Sequence, residues 1–504
     1  MKKGHLWMEA SEQMASGKMG SRMISSVISG TTSRASSLAL LLLLLAGCTT
    51  VGPNYVPPEV SASAAWTTEL RDGLTAEQTD PQTLAHWWKT LNDPILSGLI
   101  EQAVAGNLDL KEAQARVREA RARRGISQAD RFPTIVATGS ASRRRSSEET
   151  GGGGTRELYA AGFDASWELD LFGGIRRSLE AAEAELQASE EDLRDVLVSL
   201  LAEVALNYVE VRSFQSRLSI AEANLDAQEE THNLTQWRFQ AGLTTQLDVE
   251  QAKYNLEQTR SQIPALQTGL EQAKNRLAVL LGQQPGFLKD ALAEPKAIPV
   301  TALDVAVGVP ADVLRRRPDV RKAERQLAAQ TAQVGVATAD LYPNFSLIGS
   351  IGLEALSLGN LFSSAARTSA IGSNIGWTIF DTGRIRQNMK VQTALQEQAL
   401  FQYEAAVLTA LEEVENALVA YADEQVRRRS LLEASQAARR AVDLAQTQYS
   451  SGHIDFQVVL DAQRSLLSLQ DQLASSDAEV TSNLITLYKA LGGGWTSLVP
   501  DNAT

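Results

Sequence analysis

Very little in this chain of 504 residues could make or break bonds. The four histidines, His5, His86, His232 and His453, are scattered, and the only cysteine is Cys48. That set assembles neither a metal cluster nor an intramolecular disulfide. The run Gly151–Gly154 is not followed by Gly-Lys-Ser/Thr, so it reads as a flexible hairpin loop rather than a phosphate cradle. No nucleophile–base set stands at a working spacing, which argues against an enzyme and predicts no catalytic residue, metal or cofactor. What remains is electrostatic. Asp461 and Arg464 lie one helical turn apart and share a face. They follow a glycine in Tyr449-Ser-Ser-Gly452-His-Ile-Asp-Phe-Gln-Val-Val-Leu-Asp461-Ala462. Such a pair can attract ions or latch a neighbouring segment.

That stretch has a partner 210 residues earlier, Phe239-Gln-Ala-Gly242-Leu-Thr-Thr-Gln-Leu-Asp248-Val-Glu-Gln-Ala252. The same offset joins Pro133 to Pro343, Trp167 to Trp377, and Leu281-Gly282 to Leu491-Gly492. The chain is therefore duplicated, and each half carries one helix–turn–helix tip. Gly242 and Gly452 fit turns that need φ > 0. The net charge of −13 argues against a nucleic-acid partner. The Ala-, Leu-, Glu-, Gln- and Arg-rich composition, only 6% aromatic, suits long packed helices.

Residues 1–47 carry Lys2, Lys3, Lys18, Arg22 and Arg34 ahead of the apolar run Leu38–Leu45, the pattern of a secretory signal. Met1, Met19 and Met23 are all candidate starts. Leu45-Ala-Gly-Cys48 looks like a bacterial lipobox, so Cys48 is expected to be diacylated and to become the new N-terminus. Residues 48–90, rich in Pro, Ser and Thr, read as a lipidated extended tether.

The rest divides into a first repeat (91–290), a linker (291–310), a second repeat (311–492) and a tail (493–504). A helix is predicted from Pro94, capped by Asp93, and another over about Leu108–Asp130. The pattern then changes to period two. Odd positions are apolar through Tyr159–Leu169, through Phe345–Leu353, and at Ile371, Ile375, Trp377 and Ile379; Thr134–Arg143 is a weaker candidate. Strands of about ten residues suit a tilted membrane crossing, with Trp167 and Trp377 as an interfacial girdle. From Gly174 to about Arg238 the pattern is helical, with heptad stripes Leu186-Leu193-Leu200 and Leu197-Val204-Val211-Leu218-Leu225. Two stripes imply a helical neighbour on each side. Gly383 to about Gln448 copies this helix. The return helices carry Leu256-Ile263-Leu270-Leu277 and Leu466-Leu473-Val480-Leu487, the first expected to break or kink at Pro264. Arg317-Pro-Asp319 reads as a helix start.

Four strands cannot close a membrane barrel, and open edges are not tolerated in lipid. Copies of the chain must complete it. Trimerisation would supply twelve strands and twelve helices, a mainly α fold with membrane β: a β-barrel continued by an α-barrel.

At this level of detail the chain resembles the outer membrane factor family, the TolC-like efflux channels, and among them the NodT-type outer membrane lipoproteins. The resemblance rests on the lipobox, Trp87-Trp88-Lys89 with Asp93-Pro94, Trp167-Glu-Leu-Asp-Leu-Phe172-Gly-Gly174, Leu280-Leu-Gly282, Arg317-Pro-Asp319, Tyr342-Pro343, Phe380-Asp-Thr-Gly383-Arg384 and Leu460-Asp-Ala-Gln-Arg464-Ser465. It implies a homotrimer in the bacterial outer membrane, docked to a periplasmic adaptor and an inner-membrane pump of the RND type. It also implies passive export of drugs and toxic compounds; a type I protein-secretion channel is the alternative. The tips would close the periplasmic end, with Asp248, Tyr449, Asp461 and Arg464 at gating positions beside Gly242 and Gly452. A ring of three Asp461 carboxylates would favour cations, and links from Asp461 to Arg464 or Tyr449 would latch the tip. Gln457 and Val458 depart from the family pattern, where some relatives have Leu and a second Asp. Apart from a lipid on Cys48, no cofactor is implied.

Overall fold

The computed structural model describes residues 50–59, 63–77, 80–299 and 305–495; the signal segment and Cys48 lie outside them. Each half runs helix, two strands, long helix, turn, return helix. In the first, α2 (Pro94–Gly106) and α3 (Leu108–Ala129) lead to β2 (Thr134–Arg145), a short α4 (Glu148–Gly151) and β3 (Thr155–Leu169). Then come α5 (Gly174–Gln240) and α6 (Gln246–Leu280). In the second, α7 (Pro310–Arg316) and α8 (Pro318–Ala339) lead to β5 (Asn344–Ala355), β6 (Arg367–Gly376), α9 (Arg384–Ser450) and α10 (Phe456–Ala490). Helices α5 and α9 each hold 67 residues, about 100 Å at 1.5 Å per residue. Asp93 caps α2 as expected, accepting from the N–H groups of Ile95 (2.8 Å) and Leu96 (3.2 Å).

The heptad stripes do what their period requires. Leu186, Leu193 and Leu200 are buried, as are Leu197, Val204 and Val211. Helix α5 has α8 and α6 as neighbours within one chain, and also touches α3 and α10. The main core gathers Leu201 and Tyr208 of α5, Leu96 and Ile100 of α2, Leu277 of α6, Tyr421 of α9 and Leu484 of α10. Fully burying one such aliphatic side chain contributes about 1.5–3 kcal/mol. The duplication extends to single bonds. The Asn107 side chain donates to the Leu280 carbonyl (2.9 Å), and Arg317, 210 residues on, donates to the Ala490 carbonyl (3.1 Å). Arg317 also pairs with Asp319 at the start of α8 (2.6 Å).

Several expectations need correction. The 48–90 segment is not a bare tether in its described part. Its strand β1 (Leu74–Thr75) pairs in parallel with β4 (Val305–Ala306), and Leu74, Trp87 and Trp88 join the main core, as does Leu84 of α1 (Pro81–Ala85). Trp87 stacks on Tyr488 of α10 at 5.6 Å. The 291–310 linker is likewise built in through Leu292, Ile298, Val305 and Val307. Within the 493–504 tail, Trp495 lies under the guanidiniums of Arg194 (5.0 Å) and Arg321 (5.6 Å). These pieces are too short to show a period, and each fills space between helices that periodicity alone does not reveal. Helix α6 runs unbroken through Pro264. One lost N–H bond is outweighed by packing of a 35-residue helix against α5. Trp377 and Ile379 lie just past the end of β6, at Gly376.

Candidate functional site

The two tips are built alike. After α5, Gly242 takes φ 71°, and after α9, Gly452 takes φ 77°, a left-handed geometry that glycine adopts without strain. The N–H of Leu243 then reaches the Arg238 carbonyl (2.8 Å) and that of His453 the Gln448 carbonyl (2.9 Å), closing each helix in the same way.

Their fastenings differ. In the first tip Thr245 and Asp248 form a capping box at the start of α6. The Asp248 carboxylate accepts from Thr244 Oγ1 (2.5 Å), Thr245 Oγ1 (2.8 Å) and the Thr245 N–H (2.9 Å). Burial pushes its pKa up, but these hydrogen bonds outweigh that and hold it below the usual carboxylate range. Within the chain, Asp248 serves its own helix.

In the second tip the N-cap Asp455 makes no side-chain cap bond. A small core holds this turn instead: Phe456 lies 5.1 Å from the Tyr449 ring, with Val459, Leu460, Ala445 and Ala252 around them. The Arg238 guanidinium covers the Tyr449 ring at 4.7 Å. Asp461 accepts from Gln457 Nε2 (2.9 Å) and lies 3.5 Å from Arg464 Nη1. Arg464 Nε donates to Asn255 Oδ1 (3.0 Å), and its guanidinium lies over the Tyr254 ring at 5.4 Å. Arg464 thus ties α10 to α6, one half to the other. The structure brings Asp461 and Arg464 together but does not join Asp461 to Tyr449. The Tyr449 hydroxyl is buried with no hydrogen-bond partner among the described residues, because its ring turns toward Phe456 and Arg238. Sequence reading missed Arg238, Tyr254, Asn255 and Phe456. The offset held one clue, since Tyr254 is the counterpart of Arg464.

At the other end the strands form one antiparallel sheet in the order β2-β3-β5-β6. The register pairs odd residues with odd residues throughout, including Ala137↔Phe163, Phe163↔Ile351, Trp167↔Leu347 and Phe345↔Ile375. One face therefore carries Phe163, Ile351, Ile371 and Ile375, all exposed. The other carries Thr138, Ser140, Asp164, Ser166, Glu168, Ser350 and Asn374, diluted by Val136 and Ile348. The indole of Trp167 donates to the Arg131 carbonyl (3.0 Å) and that of Trp377 to the Leu341 carbonyl (3.1 Å), again 210 residues apart. Among the described residues no helix is long and apolar enough to cross a membrane. An apolar-faced sheet at one end and paired helical tips about 100 Å away define an outer-membrane channel subunit.

The comparisons with known proteins agree. The family model described as outer membrane efflux protein matches residues 99–283 and again 309–493, the same offset of 210. The chain is 34% identical to Nodulation protein T of Rhizobium leguminosarum bv. trifolii over 459 residues, 90% of this chain and 96% of that one. It is 33% identical to the toluene efflux pump outer membrane protein TtgC of Pseudomonas putida, covering 91% and 95%. Among solved structures it resembles the outer-membrane channel OprN, with 41% identity, TM-score 0.84, and 89% and 100% coverage. It also resembles the open state of the Neisseria gonorrhoeae MtrE channel, with 30% identity and TM-score 0.78. The chain belongs to the outer membrane efflux protein family and resides in the outer membrane. Several relatives are named as efflux pump outer membrane proteins, which disfavours the protein-secretion alternative.

Proposed function

We propose that three copies of this chain close a twelve-stranded barrel in the outer membrane and continue it as a tube of helices across the periplasm. There the tips dock on an adaptor and an RND-type pump, and small drug-like and toxic compounds pass out through the tube. One observation carries this reading: the four-stranded sheet has one largely apolar face, and β2 and β6 each leave one edge unpaired among the described residues. In lipid such edges need partners, which further copies supply. Relatives named as the outer membrane proteins of a toluene efflux pump and of pyoverdine export support a small-molecule cargo.

Lipid anchoring of Cys48 fits the same picture. The N–H of Val51 donates to the Phe172 carbonyl (3.0 Å) at the foot of β3, and Arg177 holds the Val51 carbonyl (3.1 Å) and Asn54 (2.7 Å). The second tip, with Tyr449, Asp461 and Arg464, acts as the gate.

The test is the subunit count by native mass spectrometry and the conductance of purified protein in planar bilayers. Phe163→Arg or Ile371→Arg should cost about 2–4 kcal/mol of membrane-state stability, and Asn374→Arg little. A monomer, or equal effects on the two faces, would defeat the proposal.

A further inference from the structure

The duplication gives each helix of one half a counterpart in the other, and so shows which neighbours a single chain lacks. Helix α5 packs on α3, α6, α8 and α10. Its counterpart α9 packs on α8 and α10, the counterparts of α3 and α6. The counterparts of α8 and α10 are α3 and α6, and among the described residues neither lies along α9. The surface of α9 marks the same gap. Val198 of α5 is 4% exposed and its counterpart Leu408 67%; Glu191 is 4% exposed and Phe401 63%. Ala181 is buried, while Val391 is exposed. A row of large apolar side chains along one helix calls for a cover.

The seam between α5 and α8 gives the form of that cover. The two helices run antiparallel. Gly174 lies against Ala339, Ala184 clusters with Ala328, Gln187 Oε1 accepts from Arg325 Nη1 (3.4 Å), and Glu191 pairs with Arg321 (2.6 Å). Moved by 210, these pairs become Arg384–Ala129, Ala394–Arg118, Glu397–Ala115 and Phe401–Lys111, each joining α9 to α3. Glu397 stands one turn from Ala394, the position that faces Arg118, which an arginine side chain can span. Both charges are exposed and make no ion pair among the described residues. Side-chain sizes fit as well. Residues Val51–Tyr55 lie in the α5–α8 seam. Arg177 holds the Val51 and Gly52 carbonyls, Gly52 lies against Gly335, and Tyr55 packs on Ala184, Ala328 and Ala329. Each copy has one such strap but two such seams. In the seam without it, Arg118 and Glu119 take the places of Ala328 and Ala329 and supply the bulk.

We propose that α9 of one copy packs antiparallel on α3 of the next, with Phe401 over Lys111 of the partner subunit and Glu397 paired with Arg118 of the partner subunit. The inference rests on the reading that copies of this chain close the tube, and it names the surfaces that meet. The contact is head to tail, so it repeats around a ring. The ion pairs of the inner seam, Glu191–Arg321 and Asp192–Lys322, have as counterparts Phe401–Lys111 and Gln402–Glu112, which are not ion pairs. Helix α9 is thereby fitted to α3 rather than to a second α8.

The experiment is disulfide cross-linking of the purified full chain. Ala394→Cys with Arg118→Cys should join copies, giving linked dimers and trimers on a non-reducing denaturing gel that a reductant dissolves. Either cysteine alone should leave the copies unlinked. Ala184→Cys with Ala328→Cys, the same geometry 210 residues away, should close within one chain and migrate as a monomer. Independently, Glu397→Arg and Arg118→Glu should each lower the melting temperature of the trimer, and the two together should restore most of the loss. If the first cysteine pair leaves copies unlinked in protein that native mass spectrometry counts as a trimer, the packing is overturned while the tube stands. If the exchanged charges restore nothing, the Glu397–Arg118 pairing is overturned. A monomeric wild type removes the tube, and the packing with it.

Discussion

The two tips descend from one duplicated sequence and share a turn, yet they are held in place by different physics. The first is fastened locally. Thr245 and Asp248 satisfy the orphan N–H groups of their own helix, and the flanking apolar residues Trp237, Leu243, Leu247 and Tyr254 are exposed. The second has no side-chain cap and is fastened by tertiary contacts: the Tyr449–Phe456 core, the Arg238 guanidinium and the Arg464–Asn255 bond. A locally capped turn stays formed when its neighbours move. A turn held by other helices loosens when they shift, which suits a moving part. Buried polar atoms without partners among the described residues lie on both sides of the seam between the tips, at Gln228, Arg238 and Asn255 of the first half and at Tyr449 and Gln463 of the second. Each costs desolvation in the packed arrangement and lowers the barrier to leaving it.

The largest expected effect breaks the second tip alone. Phe456→Ala empties a site only 3% exposed and should cost about 3–5 kcal/mol locally. Hydrogen exchange should accelerate through 445–460 and remain slow through 238–252. Comparable acceleration in both would show that the tips open as one unit. Thr245→Ala is the reciprocal change, expected to cost about 1 kcal/mol and to speed exchange in the first tip only. Weaker still in stability is Asp461→Ala with Arg464→Ala, since an exposed ion pair contributes at most about 1 kcal/mol. Its readout is conductance, which should rise, with cells becoming leaky to large antibiotics; Asp461→Asn alone should weaken cation selectivity. Unchanged conductance and selectivity would make the pair ordinary helix surface.

The smallest effect is acid sensitivity of the first tip. The folded pKa of Asp248 lies below its unfolded value, so its contribution is full above the ordinary carboxylate range, near 4. It is lost as the pH falls through the folded value. Exchange at the first tip should quicken on acidification, and Asp248→Asn should remove that dependence.

Much of this protein is legible without coordinates wherever a pattern repeats. Period two marked the strands, period seven marked the faces of α5, and the 210 offset marked the two turns. Contacts lacking a period were not legible. Nothing local announces that Arg238 will cover Tyr449, that Arg464 will bond Asn255, or that Leu74 will pair beside Val305. Pro264 shows the converse: a strong local signal for a break is overruled by packing.

The sequence by itself determined the duplicated order of elements, which strand face is apolar, and the positions where the chain must turn. Those follow from side-chain alternation, heptad spacing and the steric freedom of glycine, all properties of neighbouring residues. The tertiary structure alone decided which turn is capped and which is clamped, and how the two halves are bolted together. Those depend on helices α5, α6, α9 and α10 meeting side by side, which brings residues more than 200 positions apart within hydrogen-bonding distance.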